Sequence, residues 1–425
     1  MKRHNNFYQR PDFQKQLEDI GMNYWNLPSG PDQKPYWQEG VVYAFSETQI
    51  DKIQEATQEL HDMSVEMVSS MIKSGDYPEY FALDQQSIPL IEQSWERNDP
   101  SLYGRFDVVF DGKDEIKMLE YNGDTPVSIL ECSVAQWNYI EQLKQLPEQY
   151  KYITGSTDLP KELNIQYNQI DETLQSFWSE RFEKNSLIHF AASGDFRNED
   201  WGNLTYVMDS AVRAGMDVKE LTMQDIGFTD TNLFIDLEDY EIKNIFKLYP
   251  WEWMTSEQFG SKIIETSTKW MEPAWKMLLS NKAMLVKLWE MFPNHPYLLE
   301  AYSEQYFDAN AKNGKWCKKA IHGREGANIH QVEIANDAVL KADLAQGSHF
   351  VEEYVHWGYM YQKWHNLPVH DGYRPILGSW IIGDKACGMS VREDQNLVTG
   401  NDAFFASHLF VPYDLEEKFK DLYGG

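Results

Sequence analysis

The chain has 425 residues, enough for two or three domains, and its 42% hydrophobic and 25% charged residues argue against a disordered protein. Its formal net charge of −29 comes from 38 Lys and Arg against 67 Asp and Glu. A field of that sign repels nucleic acid and anionic membranes and attracts cationic amines. Three Cys without a CxxC motif argue against a disulfide framework or a zinc site. Without an apolar run that suits a signal peptide or a membrane span, we expect a cytoplasmic location.

Apolar periodicity predicts alternating helices and strands through most of the chain. In chain order we expect an aromatic, turn-rich region at 1–45, a helix at 47–72 with Ser46 as N-cap, a helix at 88–95, a hairpin at 106–121, a helix at 134–143, a linker at 144–160, a strand at 187–192, a helix at 204–214, a strand at 218–221, a strand pair at 233–236 and 242–248, and an interrupted helix at 270–292. Strands at 317–321, 331–334, 359–364, 376–383 and 386–392 follow, so the class is mixed α/β.

The hairpin carries the clearest chemistry. Because side chains alternate along a strand, Arg105 and Asp107 share a face, as do Glu120 and Asn122, and the turn at Asp111-Gly112 could bring the two faces together. Three oxygen donors suit Mg²⁺, and the Arg suits an anion that forms during a reaction. Spacing alone also allows a solvated hairpin of alternating charge, although opposed acidic residues favour a bound cation.

Seven segments in order carry a resemblance: RxD with EYNxD in the hairpin, LIHF at 187–190, WEW at 251–253, NKA with LWEMFP at 281–293, GREGANI at 323–329, YQ with LP at 361–368, and GMSVRED at 388–394. Together they resemble the synthetase domain of glutathionylspermidine synthase and the stand-alone acid–amine ligases related to it. The resemblance covers roughly residues 15–415. It leaves no room for that family's amidase domain.

The resemblance implies a role for each matching residue. The magnesium ligands would be Asp107, Glu120 and Asn122, and the catalytic arginines Arg105 and Arg392. The ATP-binding residues would be Lys282, Lys319, Gly323, Gly326, Gln362 and Arg392. Either Lys alone would be assigned to the solvated surface, whereas glycines suit a loop that approaches phosphate closely.

The resemblance also implies an α/β (α+β) fold of the permuted, discontinuous ATP-grasp type with a small α/β pre-grasp domain. We expect an N-terminal helical region with the metal-binding hairpin at 1–145, a small α/β substrate domain at 180–270, and the nucleotide-binding lobe at 271–425. The metal ligands come early in the chain and the phosphate-binding lysines late, which requires such a discontinuous arrangement.

The implied function is a ligase that uses ATP and two Mg²⁺ ions to join a small-molecule carboxylic acid to an amine, such as a peptide or polyamine, through an acyl phosphate. Thr125, Glu199 and Asp200 are candidate substrate-binding residues, while Val127 cannot donate a hydrogen bond and argues against glutathione as the acid. A nucleotide-binding protein without turnover and a peptide-type ATP-grasp ligase remain alternatives. A carbohydrate-active protein is disfavoured, because its carboxylates would stand without Arg and Lys partners.

Overall fold

A computed structural model describes residues 1–29, 33–145, 165–194, 199–307, 313–336, 338–400 and 403–424. The predicted linker at 144–160 lies almost wholly outside the described residues. Within those ranges, none of the helices combines the length and apolar character that crossing a membrane requires.

The strands of the described chain form three larger sheets and two small ribbons. In chain order they are β1 (Lys2–His4), β2 (Pro28–Ser29), β3 (Lys34–Pro35), β4 (Trp37–Ser46), β5 (Tyr103–Phe110), β6 (Ile116–Asn122), β7 (Leu187–Ala192), β8 (Asp217–Thr222), β9 (Gly227–Phe228), β10 (Phe234–Ile235), β11 (Asn244–Leu248), β12 (Lys269–Met271), β13 (Ala301–Ser303), β14 (Gly314–Ala320), β15 (Ile329–Ala335), β16 (Ala338–Leu344), β17 (Tyr359–Lys363), β18 (Arg374–Ile382), β19 (Lys385–Asp394) and β20 (Phe404–Val411).

The α-helices of the described chain cover these sheets. They are α1 (Phe13–Asp19), α2 (Glu47–Ser74), α3 (Ser87–Glu96), α4 (Gln136–Gln145), α5 (Ile170–Arg181), α6 (Glu199–Arg213), α7 (Trp251–Met254), α8 (Ala283–Met291) and α9 (Lys420–Tyr423). A π-helical turn at Glu131–Ala135 leads into α4.

Helix α2 confirms the predicted start of the first long helix. The side chain of Ser46 accepts from the backbone N–H of Gln49, whose side chain in turn accepts from the N–H of Ser46. Such a capping box satisfies two N–H groups that would otherwise lack partners. The helix ends at Gly75, which has φ +65° in the left-handed region that glycine adopts without steric cost.

A seven-stranded sheet positions the hairpin and joins the two ends of the chain. Its order is β1-β4-β20-β19-β18-β5-β6, so the hairpin β5–β6 pairs with β18 and the early strand β4 pairs in parallel with β20. Tyr43 and Phe45 of β4 pack in the cluster that contains α2, while Val42 and Ala44 face the cluster on the other side. The sheet is therefore covered on both faces, with β4 buried inside a region that the sequence had marked only as turn-rich.

The second sheet is parallel, in the order β12-β11-β7-β8. The unit β7–α6–β8 confirms the predicted strand, helix and strand. Two expectations here are wrong. The segments at 233–236 and 242–248 are joined by the hydrogen bond from the N–H of Ile242 to the carbonyl of Phe234, but they form no ladder with each other, because β10 pairs with β9 and β11 lies between β7 and β12. Residues 269–271 form a strand rather than a helix, because Trp270 and Met271 are buried beside β11 and the helix α8 starts only at Ala283.

The third sheet is antiparallel, in the order β13-β17-β14-β15-β16. It confirms the predicted strands at 317–321, 331–334 and 359–364. Strand β14 carries Lys319 and β17 carries Gln362. These two side chains face the hairpin: Lys319 Nζ donates to the carbonyl of Leu119 at 2.9 Å, and Gln362 Nε2 donates to that of Met118 at 3.1 Å.

Candidate active site

The pairing of the hairpin brings its polar side chains together. Arg105 lies opposite Asn122 and Asp107 opposite Glu120, so the four residues share one face as predicted. The turn is longer than two residues: one carboxylate oxygen of Asp111 accepts the N–H groups of residues 113, 114 and 115. The hairpin is thus held by its own turn at one end and by β18 along its length.

Arg105 and Asp107 form a buried ion pair. The guanidinium Nε lies 2.7 Å from Asp107 Oδ1 and Nη2 lies 3.1 Å from Oδ2, while Nη1 donates to the carbonyl of Val127 at 2.7 Å. Gly378 of β18 lies opposite Asp107, and a Cβ at that position would come within 2.8 Å of Arg105 Cδ. A glycine therefore leaves the space that the side chain of Arg105 occupies beside β18.

Lysines from two later parts of the chain meet Glu120. Lys282 Nζ lies 3.0 Å from Glu120 Oε2 and donates to the carbonyl of Gly323 at 2.5 Å. Burial alone would raise the pKa of Glu120, but Lys282 and Lys319 together with Arg105 lower it to about 2. Burial lowers the pKa of Lys319. Glu120 is therefore ionised at neutral pH, the state that a ligand to a cation needs.

One cavity of about 560 Å³ contains all the residues that the sequence nominated. It is lined by Arg105, Asp107, Glu120, Asn122, Thr125, Glu199, Asp200, Lys282, Lys319, Gly323, Gly326, Gln362 and Arg392. They come from all three larger sheets and their connections, so the fold collects residues that are far apart in the chain. A second cavity of about 850 Å³ beside α4, α5 and α6 contains none of them.

The glycine-bearing loop is fastened across the cavity. Arg324 donates to Thr125 Oγ1 at 3.0 Å and forms an ion pair with Glu252. Gly326 has φ +72°, and a Cβ there would approach the carbonyl oxygen of Thr399 to 3.0 Å. Burial would raise the pKa of Glu252, but Arg324 lowers it. Sequence reasoning had found the WEW segment without this contact.

A group of carboxyls lies towards the other end of the cavity: Glu199 and Asp200 line it and are half-buried, and Glu131 is fully buried outside its lining. The hydroxyl of Tyr36 donates to Glu131 Oε1 at 3.0 Å, and Glu131 Oε2 has no hydrogen-bond partner among the described residues. Burial raises the pKa of Glu131 to about 7. Burial, followed by the charge of Glu131, raises the pKa of Glu199 to about 8, against the opposing charge of Arg392. Burial also raises the pKa of Asp200.

Glu131 was missed from the sequence, and so was Asp124. Asp124 is fully buried, with Oδ1 2.6 Å from Lys247 Nζ and Oδ2 accepting the backbone N–H of Trp251 at 3.0 Å. Lys247 also donates to the carbonyl of Tyr249 at 2.9 Å. This pair ties the end of the hairpin to the parallel sheet. The Asp of the EYNGD motif was the available signal, whereas Glu131 lies in a segment that carries only helical periodicity.

The donor set fits a hard cation through its chemistry. Two carboxylates and one amide oxygen, on Asp107, Glu120 and Asn122, are the ligand types that Mg²⁺ takes alongside phosphate oxygens and water. Among the described residues no group of three or more His, Cys, Asp and Glu could hold a metal by itself. A cation here would therefore depend on the amide and on oxygens of a bound substrate.

The antiparallel sheet over the hairpin and the cation-rich cavity between them define a ligase of the ATP-grasp class. The chain belongs to the glutathionylspermidine synthase preATP-grasp family, whose model matches residues 4–411. This match confirms three predictions from the sequence: the family, the mixed α/β fold and the carbon–nitrogen ligase class.

Individual relatives agree with this family. One relative is a Haemophilus influenzae protein that carries the provisional name acid–amine ligase. It is 43% identical over 413 residues, covering 97% of this chain and 100% of that protein. The trypanothione synthetase of Crithidia fasciculata is 26% identical over 82% of this chain, which spans 53% of that longer protein.

A solved structure supports the fold alone. The apo form of a glutathione synthetase-like effector from Globodera pallida superposes with a TM-score of 0.52 at 10% identity, covering 95% of this chain and 100% of that one.

Proposed function

We propose that the protein is an ATP- and Mg²⁺-dependent acid–amine ligase that forms an amide through an acyl phosphate. One observation carries the proposal: the hairpin places Asp107, Glu120, Asn122 and Arg105 on a single face, and Lys282 and Lys319 meet that face in one cavity. The local cations offset the net charge of −29 that would otherwise repel a nucleotide triphosphate. We also place the protein in the cytoplasm.

The nucleotide half would be held by the chain's own cations and loop. Lys282 and Lys319 would neutralise phosphate oxygens, and the backbone N–H groups of the loop between Gly323 and Gly326 would approach them. Asp107, Glu120 and Asn122 would hold magnesium, which supplies charge neutralisation at the phosphates when bound. Catalysis of this kind depends mainly on positioning and charge.

The proposed reaction has two steps, formation of the acyl phosphate and formation of the amide. A carboxylate oxygen of the acid bonds to the γ-phosphorus of ATP while the bond to the bridging oxygen breaks, and ADP leaves. The amine nitrogen then bonds to the acyl carbon, inorganic phosphate leaves with the electron pair of the carbon–oxygen bond, and the nitrogen loses a proton. Arg105 and Arg392 would stabilise the transferring phosphoryl group and the developing oxyanion. The closed Arg324 loop would keep water from the acyl phosphate.

The end of the cavity at Glu199 and Asp200 would receive the amine, and Thr125 would contact the acid. An ammonium group has to lose a proton before it attacks, and Glu199, whose pKa is raised to about 8 by burial and by the charge of Glu131, can accept one near neutral pH. The wall beside Arg105 at Val127 presents a carbonyl and an apolar side chain. A peptide or polyamine therefore suits the amine site. An acid other than glutathione suits the acid site beside Thr125 and Val127.

The test is ADP release with Mg²⁺, ATP and a panel of carboxylic acids and polyamines. We expect one acid–amine pair to raise ADP release well above background and to yield an amide of the combined mass. ATP binding without ADP release for any pair would instead favour a nucleotide-binding protein without turnover.

Asp107→Asn tests the metal assignment. It removes the charge and keeps the size, so we expect turnover to fall by about 100-fold or more. The matched control is Asp111→Asn on the same hairpin, whose side chain can still accept the turn N–H groups and lies outside the cavity. Full activity in Asp107→Asn would remove the metal assignment.

A further inference from the structure

One stretch of the active-site cavity is lined by apolar side chains. This apolar wall consists of Leu27, Tyr36, Pro126, Val127 and Trp253. Leu27 and Trp253 keep 51% and 46% of their surface exposed, and both line the cavity. Exposed apolar surface in a cavity is where the apolar group of a small ligand can leave water. The wall therefore suits a ligand with an apolar body.

The first half of the apolar wall is continuous from Leu27 to Val127. The backbone N–H of Tyr36 donates to the carbonyl of Leu27 at 2.9 Å, so the two residues are neighbours beside the ribbon of β2 and β3. The hydroxyl of Tyr36 lies 3.4 Å from Ser128 Oγ, and Ser128 follows Val127 directly. Val127 also packs against the buried cluster that contains Tyr36. Tyr36 thus connects the two aliphatic side chains.

The second half of the wall reaches Trp253 across the end of the hairpin. Asp124 Oδ2 accepts the backbone N–H of Trp251 at 3.0 Å, which holds the start of α7 beside the residues that follow β6. Arg324 donates to Thr125 Oγ1 at 3.0 Å, and its guanidinium carbon lies 5.8 Å from the centre of the Trp253 ring. The wall therefore continues along the end of the hairpin to α7.

The middle of the apolar wall lies beside the arginine that would meet the reacting carboxylate. Arg105 Nη1 donates to the carbonyl of Val127 at 2.7 Å. In the proposed reaction the acyl phosphate forms beside Arg105, so the rest of the acid has to extend along the surface that starts at Val127. This placement of the acid rests on the proposed function, because it is the acyl phosphate that locates the carboxylate.

The charges near Trp253 disfavour a second anionic group on the acid. The guanidinium of Arg324 already forms an ion pair with Glu252. Burial, followed by the charge of Glu325, raises the pKa of Asp200, and the charge of Arg324 opposes this shift, so the three side chains lie within electrostatic range of one another. A second carboxylate at this end of the wall would meet a paired arginine and two acidic residues, and like charges brought together cost affinity.

We propose that the acid is a monocarboxylic acid with a branched-alkyl or aryl body, whose carboxylate lies beside Arg105 and whose body packs on the apolar wall. Removal of such a body from water favours binding, and the flat face of Trp253 suits an aryl ring. Glutathione lacks both properties, because it carries two carboxylates and a polar peptide backbone. The wall selects the acid and takes no part in the chemistry.

ADP release with Mg²⁺, ATP and a panel of polyamines measures which acid the full chain prefers. Isovalerate and hydrocinnamate are compared with glutarate, which has as many carbon atoms as isovalerate and a second carboxylate, and with glutathione. We expect kcat/KM for the two apolar acids to exceed that for glutarate and glutathione by about 10-fold or more. A smaller ratio overturns the proposal.

Binding is measured separately from turnover. Ligand-observed NMR titration with Mg²⁺ and a saturating non-hydrolysable ATP analogue gives the Kd of each acid, and hydrocinnamate should bind about 10-fold more tightly than glutarate. If no acid raises ADP release, the proposed function fails while these Kd values still decide the present proposal. If ADP release occurs only with glutarate or glutathione, the present proposal fails and the ligase function stands.

Two variants test the wall itself. Val127→Thr adds a hydroxyl that a bound apolar acid would cover without a partner, so the Kd of hydrocinnamate should rise about 5-fold or more. Trp253→Ala removes the aromatic face and should raise it about 10-fold. The matched controls are Val212→Thr on α6 and Trp137→Ala on α4, which are 48% and 50% exposed outside this cavity and should bind like wild type. A wild-type Kd in Val127→Thr or in Trp253→Ala overturns the proposal.

Discussion

Replacing Asp124 by Ala should destabilise the protein by about 3–5 kcal/mol, because it leaves a buried ammonium without its counterion. The side chains of Lys247 and Asp124 are 0% and 1% exposed, so water cannot take over the lost contact. Burial already lowers the pKa of Lys247, and the charge of Asp124 opposes that shift. The backbone N–H of Trp251 would also lose its acceptor.

Urea unfolding followed by tryptophan fluorescence measures this loss. Trp251, whose ring centre lies 4.8 Å from Lys247 Nζ, is one of the 15 tryptophans that contribute to this signal. The double variant Asp124→Ala, Lys247→Met should be more stable than Asp124→Ala alone, because it removes the uncompensated charge. Asp19→Ala is the control: it breaks an exposed pair with Lys15 and should have little measurable effect.

A loss below about 1 kcal/mol for Asp124→Ala, the scale of a single neutral hydrogen bond, would show that Lys247 does not need this counterion. A double variant no more stable than Asp124→Ala would show the same.

Two further predictions concern the ends of the cavity. The raised pKa of Glu199 means that the folded protein keeps a proton that the unfolded chain releases, so stability is full below pH about 4.5 and falls as pH rises to about 8. The melting temperature of Glu199→Gln relative to that of wild type should therefore increase as pH rises through that window. Arg324→Ala should speed hydrogen exchange at residues 323–326 and raise the KM for ATP, since the ties to Glu252 and Thr125 are lost.

Glu199→Gln and Arg324→Ala each have a matched control variant. Glu220→Gln removes an exposed carboxyl of β8 and should leave the pH profile of stability unchanged; a parallel pair of profiles for wild type and Glu199→Gln would contradict the burial argument. Arg213→Ala breaks ion pairs outside that cavity and should change neither quantity; equal exchange in wild type and Arg324→Ala would show that the contacts of Arg324 do not hold the loop.

The sequence predicted the hairpin well because its signal is local. Alternation on two strands and a turn between them determine which side chains share a face, and the structure pairs Asp107 with Glu120 as expected. The lysines had no such signal. A single Lys at 282 or 319 looks like any surface residue, and only the family resemblance singled it out.

The errors arise where partners are distant in sequence. The apolar residues at 270 and 271 fit a buried strand as well as a helix, and what decides between them is the neighbouring strand β11. For the same reason the sequence could not show that β10 and β11 choose different partners. Glu131 escaped notice because burial, which raises its pKa, has no signature in the residues beside it.

The seven-stranded sheet has a consequence for the synthesis of the chain. The hairpin emerges early, but its neighbour β18 begins only at residue 374, and β20, which pairs with β4, begins at residue 404. The free edge of β5 has no partner until residue 382 is available, and that of β4 has none until residue 411. Such non-local pairing is slow and leaves unpaired edges prone to aggregation, so a nascent chain of this protein should depend on protection by chaperones until its last large strand is made.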